Sequence, residues 1–322
     1  MRRVYQQLAI ACATSVVLSS AVSAQWGFWP ADSLLAAGKL SAAESAYYAA
    51  SRERPRDPAA RAALGRFLAA RGAVRVGSVL VEEAQQFGGD SAALARVLVP
   101  MYVRSASYGK LDSLRPVVLT AAERRRAQWL ASHPPQAQLG DSLVLLTYRP
   151  LASGEGIGTV LIRIGKTELP AVLDPRVSGV VVPSIAGRDF RSFGAHGKET
   201  LAVADVIRIG GVSLMNVPVT IGNPDEKVRI GFDVLAPYYP RFDPSKGLMT
   251  LRRVGRKGPV LPTNSTRVPA LFDNNGLRLL LGEHWQPTSA SMPAMLLATR
   301  PWFWDDRGGD VVLLSAGAAA RP

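Results

Sequence analysis

The stretch that most constrains this chain covers residues 158–183, Gly-Thr-Val-Leu-Ile-Arg-Ile-Gly-Lys-Thr-Glu-Leu-Pro-Ala-Val-Leu-Asp-Pro-Arg-Val-Ser-Gly-Val-Val-Val-Pro. Residues 159–164 alternate weakly and are rich in β-formers, and Gly165-Lys166 reads as a turn. An apolar run over residues 169–173 then ends on a single carboxylate, Asp174. After a short irregular run, Gly179-Val180-Val181-Val182 re-enters a strand. A hairpin that delivers an aspartate at the end of an apolar strand holds it rigidly and partly out of water. A functional acid needs both.

The pattern continues downstream. Residues 201–209, the Gly210-Gly211 turn and residues 212–219 read as paired strands ending in Asn216-Val217-Pro218-Val219. Ile230-Gly231-Phe232-Asp233-Val234-Leu235 follows, and Arg241-Phe242-Asp243 with Gly247-Leu248-Met249-Thr250-Leu251 reads as a closing hairpin. Over residues 142–254 this order resembles the retropepsin-like aspartic proteases, the single-lobe relatives of pepsin. Their signature is an apolar strand ending in Asp-Thr-Gly, backed by an apolar-Gly-x-Asp-x-Leu element. Asp174 and Ser178 sit in that frame, while Pro175 and Arg176 stand where the family has Thr and Gly.

The resemblance implies an all-β retropepsin-like domain with Asp174 as the catalytic carboxylate. The second carboxylate of the pair would come from another copy in a C2 homodimer, since this chain has no second Asp-Thr-Gly or Asp-Ser-Gly. It also implies a peptide-binding cleft lined by Pro175, Arg176 and Ser178, under a flap carrying Gly194, His196 and Gly197. The two substitutions bear on the chemistry. Pro175 offers neither the hydroxyl nor the backbone N–H with which the family's Thr holds the facing loop. Arg176 brings a cation that favours two ionised carboxylates over a shared proton. Two readings follow: a weak or inactive peptidase that serves as a peptide- or protein-binding module, or an active homodimeric aspartic endopeptidase. The side-chain direction of Arg176 separates them.

The rest of the chain sets the context. Residues 1–24 combine Arg2-Arg3, an apolar run too short to span a bilayer and a small-residue Val22-Ser23-Ala24 site. These mark a secretory signal peptide, hence an exported, periplasmic or secreted protein with no stable membrane anchor after cleavage. Cys12, the only cysteine, lies inside that segment, so the remaining chain has no disulfide, thiolate zinc site or cysteine nucleophile. The net charge of +13 falls to +11 without Arg2 and Arg3. The basic residues are scattered, Arg124-Arg125-Arg126 being the tightest run, and no nucleic-acid motif accompanies them. They read as a solvated surface without a nucleic-acid partner.

Residues 25–131 have helical spacing, with Asp57-Pro58 opening one helix. Gly38-Lys39-Leu40 recurs as Gly72-Ala73-Val74 a spacing of 34 later, and Tyr108-Gly109-Lys110-Leu111 offers a drifted third connector. That period resembles tetratricopeptide repeats, which implies a protein partner on the helices; a plain helical bundle is the other reading. Residues 132–141 are polar, Pro-rich and read as a linker. Residues 255–322 read as a small β-rich extension with a hairpin turning at residues 273–276 and Trp302 and Trp304 in its core.

Other motifs fail. Gly154-Glu155-Gly156 precedes a strand instead of following one, Gly165-Lys166-Thr167 lacks the first glycine of a phosphate-binding loop, and the three histidines have no zincin spacing. No cofactor or metal is expected. The fold class expected is multidomain α + β: helical repeats, a retropepsin-like β domain and a β-rich extension.

Overall fold

The computed structural model describes residues 30–114, 118–139, 143–151, 156–186, 190–235, 238–252, 264–273, 276–305 and 308–315. The expected signal peptide with Cys12 lies outside them, as do Gly154 and Glu155. The chain is α + β: helices come first, then a β-rich region built around a six-stranded barrel.

Among the described residues, seven helices form the first part: α1 (Pro30–Ala36), α2 (Leu40–Glu53), α3 (Pro58–Ala70), α4 (Val74–Gln86), α5 (Ser91–Arg104), α6 (Tyr108–Asp112) and α7 (Ala121–Ser132). Their starts are set by side chains that satisfy orphan N–H groups. Asp57 accepts from Ala59 N at 2.9 Å, Asp90 from Ala92 N and Ala93 N, and Thr120 with Glu123 closes a capping box on α7. The turns between helices repeat one geometry at positions 38, 72, 88 and 106. In each, that residue has positive φ and donates three residues back, and its successor donates five back. The third connector of the 34-residue spacing is therefore Ala106-Ser107, and Tyr108 opens α6. Ala106 adopts the left-handed conformation without being glycine, which hid the connector from the sequence pattern.

The barrel strands are β4 (Gly158–Ile164), β5 (Thr167–Leu173), β6 (Val180–Pro183), β8 (Glu199–Ile209), β9 (Val212–Gly222) and β10 (Val228–Ile230). They close in the order β9-β6-β10-β5-β4-β8 and back to β9. Three short strands extend this sheet: β1 (Gln136–Leu139) on β9, β3 (Arg149–Pro150) on β4 and β7 (Arg191–His196) on β8. The pairing of β1 corrects the expected linker. Gln136-Ala137-Gln138-Leu139 alternates with period two and fills the free edge of β9.

A second sheet has the order β15-β14-β13-β17-β16-β11-β12-β2. Its strands are β2 (Leu143–Thr147), β11 (Arg241–Asp243), β12 (Leu248–Arg252), β13 (Ser265–Asp273), β14 (Gly276–Leu281), β15 (His284–Pro287), β16 (Trp302–Asp305) and β17 (Asp310–Leu314). The sheet crosses the boundary expected at Val254, because β16 covers the edge that β11 would otherwise leave open. Strand order is symmetric about that junction: β2-β12-β11 on one side, β13-β17-β16 on the other. Phe242 and Trp302 pair across it with rings stacked 4.2 Å apart. Both are fully buried, and side chains of this size each contribute about 2–3 kcal/mol by leaving water. They belong to one apolar cluster that runs through barrel and second sheet together.

The helices are fastened to both sheets. Arg71 donates to the carbonyls of Ala270, Gly308 and Gly309 and pairs with Asp310, and Trp285 Nε1 donates to Leu35 O at 2.6 Å. The arginine triplet of α7 departs from the expected solvated surface. Arg125 donates to Phe193 O and Arg126 to Val219 O, because α7 lies across the β7–β8 hairpin.

Candidate functional site

Strand β10 lies between β5 and β6, parallel to the first and antiparallel to the second. The chain therefore leaves β5 at Leu173, arches over the end of β10 and returns as β6 on its far side. Residues 174–179 form that arch. Asp174 N donates to Ile230 O at 3.0 Å, and Gly231 N donates to Gly179 O at 2.8 Å, so both feet of the arch are tied to the end of β10.

Helix α8 (Phe232–Leu235) begins immediately beneath it. Asp233 accepts from Ser178 Oγ at 2.6 Å and from Gly179 N at 3.0 Å. Burial pushes its carboxyl above the usual range, against the opposing effect of those hydrogen bonds. Ser178 is thus a strut of the arch, aimed at Asp233. The apolar-Gly-x-Asp spacing marked this element in the sequence, but not the partner of its aspartate.

Asp174 is fully buried. Its Oδ1 accepts from the backbone N of Arg176 at 3.0 Å and from Arg176 Nε at 2.8 Å, and its Oδ2 accepts from Arg176 Nη2 at 2.8 Å. This is a bidentate fork closed within one loop. Arg229 Nη1 stands 3.7 Å from Oδ2 as a second cation, itself bridged to Glu226. The hydrogen bonds from Arg176 to Asp174 hold the guanidinium above its ordinary value. The lone pairs of both carboxylate oxygens that face the loop are thus taken by N–H groups of Arg176.

The face of the arch is also covered. The first residue of β14 packs on it: a Cβ added at Gly276 would stand 2.9 Å from Arg176 Cγ and 3.2 Å from Pro175 O. Gly276 has φ +90° and no side chain, and both are needed for that approach. The segment leading there, Pro269-Ala270-Leu271-Phe272-Asp273, parallels Pro170-Ala171-Val172-Leu173-Asp174. In the sequence alone, residues 273–276 read only as a turn, because the two segments lie about 100 residues apart. Asp273 is bonded to Arg278.

Gly194, His196 and Gly197 lie on the β7–β8 hairpin, apart from the residues of the arch. Trp129 of α7 lies 6.1 Å from the Phe193 ring, Arg191 covers the Trp129 ring, and the nearest neighbours of a Cβ at Gly194 would be Arg125 and Ala122. The hairpin expected as a flap packs against helix α7 at Phe193 and Gly194, while the turn at Gly197 faces open space. A groove of about 630 Å³ opens beside the arch, lined by Val172, Arg176, Asn223, Glu226, Lys227 and Arg229. Among the described residues no cluster of three or more His, Cys, Asp or Glu could hold a metal ion.

No protein-family model and no curated protein matches the sequence. Among solved structures, the crystal structure of a retropepsin-like aspartic protease from Rickettsia conorii is similar over 37% of this chain and 94% of its own, with 14% identity and a TM-score of 0.28. A likeness of that size leaves the fold to rest on the strand pairing described above.

Proposed function

We propose that this chain is an exported retropepsin-like aspartic protease homologue that does not cut peptides and serves as a peptide- or protein-binding module. The observation that carries the reading is the fork between Asp174 and Arg176. Aspartic proteolysis needs two carboxylates sharing one proton around a water molecule. Here one buried carboxylate is paired within its own loop, and Gly276 at the start of β14 packs on Pro175 and Arg176, the face we assign to a second copy in a homodimeric relative. Residues 264–315 thus stand in for the other half of a homodimer, consistent with the symmetric strand order of the second sheet. The groove beside Arg176 is the place for an extended peptide. The helices, with connectors 34 residues apart at positions 38, 72 and 106, are read as tetratricopeptide-like and offered to a protein partner.

The test is casein cleavage from acid to neutral pH by the purified chain and by Asp174→Asn, with the mass in solution measured alongside. The expected result is equal background cleavage by both proteins and a monomeric mass. Cleavage that vanishes in Asp174→Asn would overturn the proposal and establish the active endopeptidase.

A further inference from the structure

A cavity of about 590 Å³ lies where the helices, the barrel and the second sheet meet. Val103, Leu214, Val217, Phe232, Phe272 and Trp304 make most of its wall apolar, and exposed Val76 marks its mouth. Gly179 and Asp233 reach it from beneath the arch, whereas Asp174 and Arg176 do not line it. It is therefore a different space from the groove beside Arg176. Its volume is that of a small-molecule site, about 300–1,000 Å³.

Two donors in this wall have capacity to spare. Arg104, the last residue of α5, lies with its guanidinium 4.4 Å from the centre of the Phe272 ring and donates Nη1 to Phe272 O at 2.8 Å. Among the described residues no carboxylate lies within ion-pair distance of it. Asp233 is engaged by Ser178 and Gly179, and Asp273 by Arg278. Burial pulls Arg104 down to about 10 against the opposing pull of the Asp233 and Asp273 carboxylates, which lie beyond ion-pair distance, so it remains a cation at neutral pH. Tyr108, four residues on, is buried in the same wall, and its hydroxyl meets no hydrogen-bond partner among the described residues. Arg75 stands exposed at the mouth, where its charge attracts anions. A guanidinium and a phenol hydroxyl set into an otherwise apolar wall match a ligand that carries an anion on a hydrocarbon body.

We propose that this cavity binds an apolar monocarboxylate of the fatty-acid kind. Its carboxylate would accept from Arg104 and Tyr108, and its hydrocarbon tail would lie along Leu214 and Val217. The proposal does not depend on the fate of Asp174.

The experiment is calorimetric titration of the whole chain with decanoate, decanol and a Leu-Phe dipeptide with free carboxylate. Decanoate is expected to bind saturably at one site, with decanol and the dipeptide each weaker by roughly tenfold or more, the difference made by one hydrogen-bonded charge in a matched cavity. Arg104→Gln removes the charge. Because Arg104 also holds the β13 backbone, Tyr108→Phe serves as the second variant, and it should weaken decanoate several-fold while leaving decanol unchanged. Equal binding of decanoate and decanol, preference for the dipeptide, absence of saturation, or decanoate binding untouched in a folded Tyr108→Phe would each overturn the proposal.

Discussion

The fork between Asp174 and Arg176 follows from elementary electrostatics once the backbone arch is in place. A buried carboxylate needs partners for its lone pairs, and the residue two positions on supplies its backbone N–H and two N–H groups from a planar, always charged head. Breaking a buried pair by removing one partner costs about 3–5 kcal/mol, but an exposed pair is worth about 0–1 kcal/mol. Asp174 is fully buried and Arg176 is 44% exposed, so the cost lies between these limits. Arg176→Ala is expected to lose about 1–3 kcal/mol in urea unfolding, with Arg229 as the remaining cation near Asp174. A loss below about 0.5 kcal/mol would show that the fork does not hold the arch. The residue types of this loop were legible in the sequence, including the replacement of Thr and Gly by Pro175 and Arg176. Whether Arg176 turned toward Asp174 was not, because a side-chain direction depends on what else packs there, and Gly276 comes from a hairpin 100 residues further along.

At the scale of elements, helices α3 and α4 meet through two glycines. A Cβ at Gly65 would stand 2.7 Å from Gly77 O and 2.9 Å from Val81 Cγ2, so two backbones touch where larger residues would part them. Alanine in a helix interior gains roughly 0.5–1 kcal/mol over glycine from backbone entropy, whereas forcing an extra carbon into a packed contact costs about 1–3 kcal/mol. The struck atom is a backbone carbonyl that cannot rotate away, so packing decides the sign. Gly65→Ala should lower the urea midpoint by about 1–2 kcal/mol of stability; a stabilised variant would show that the helices separate freely. Helix starts and hairpins were readable because they are local. Asp57-Pro58 opens α3, Gly165-Lys166 joins β4 to β5, and residues 210–211 join β8 to β9. The strand β1 was missed because four residues pair only in the presence of a distant edge.

At the scale of the whole molecule, the second sheet binds the three sequence regions together. Strand β2 comes from before the barrel, β11 and β12 from after it, and β13–β17 from the C-terminal region, with Arg71 and Trp285 joining the helices to the same body. A chain ending at Val254 would lose β16 from the edge of β11 and expose Phe242, whose stacking partner is Trp302. Exposed edges and uncovered aromatic faces drive association. Such a chain is expected to elute as aggregate in size-exclusion chromatography and to lack a cooperative thermal transition. A monodisperse, cooperatively folding product would show that the C-terminal region is an independent appendage.

The sequence by itself determined the class of the chain, the order of helices before strands, most hairpin turns and the position of one aspartate at the end of an apolar strand. Those properties depend on periodicity, capping and turn chemistry within a few residues of each other. Tertiary structure decided that β1 pairs with the barrel, that Arg125 and Arg126 of α7 reach backbone carbonyls, that β13, β17 and β16 complete the second sheet, and that Arg104 and Tyr108 face one apolar cavity. Each of these joins residues far apart in the chain through a free edge, a buried charge or a packing surface, and such couplings have no local signature.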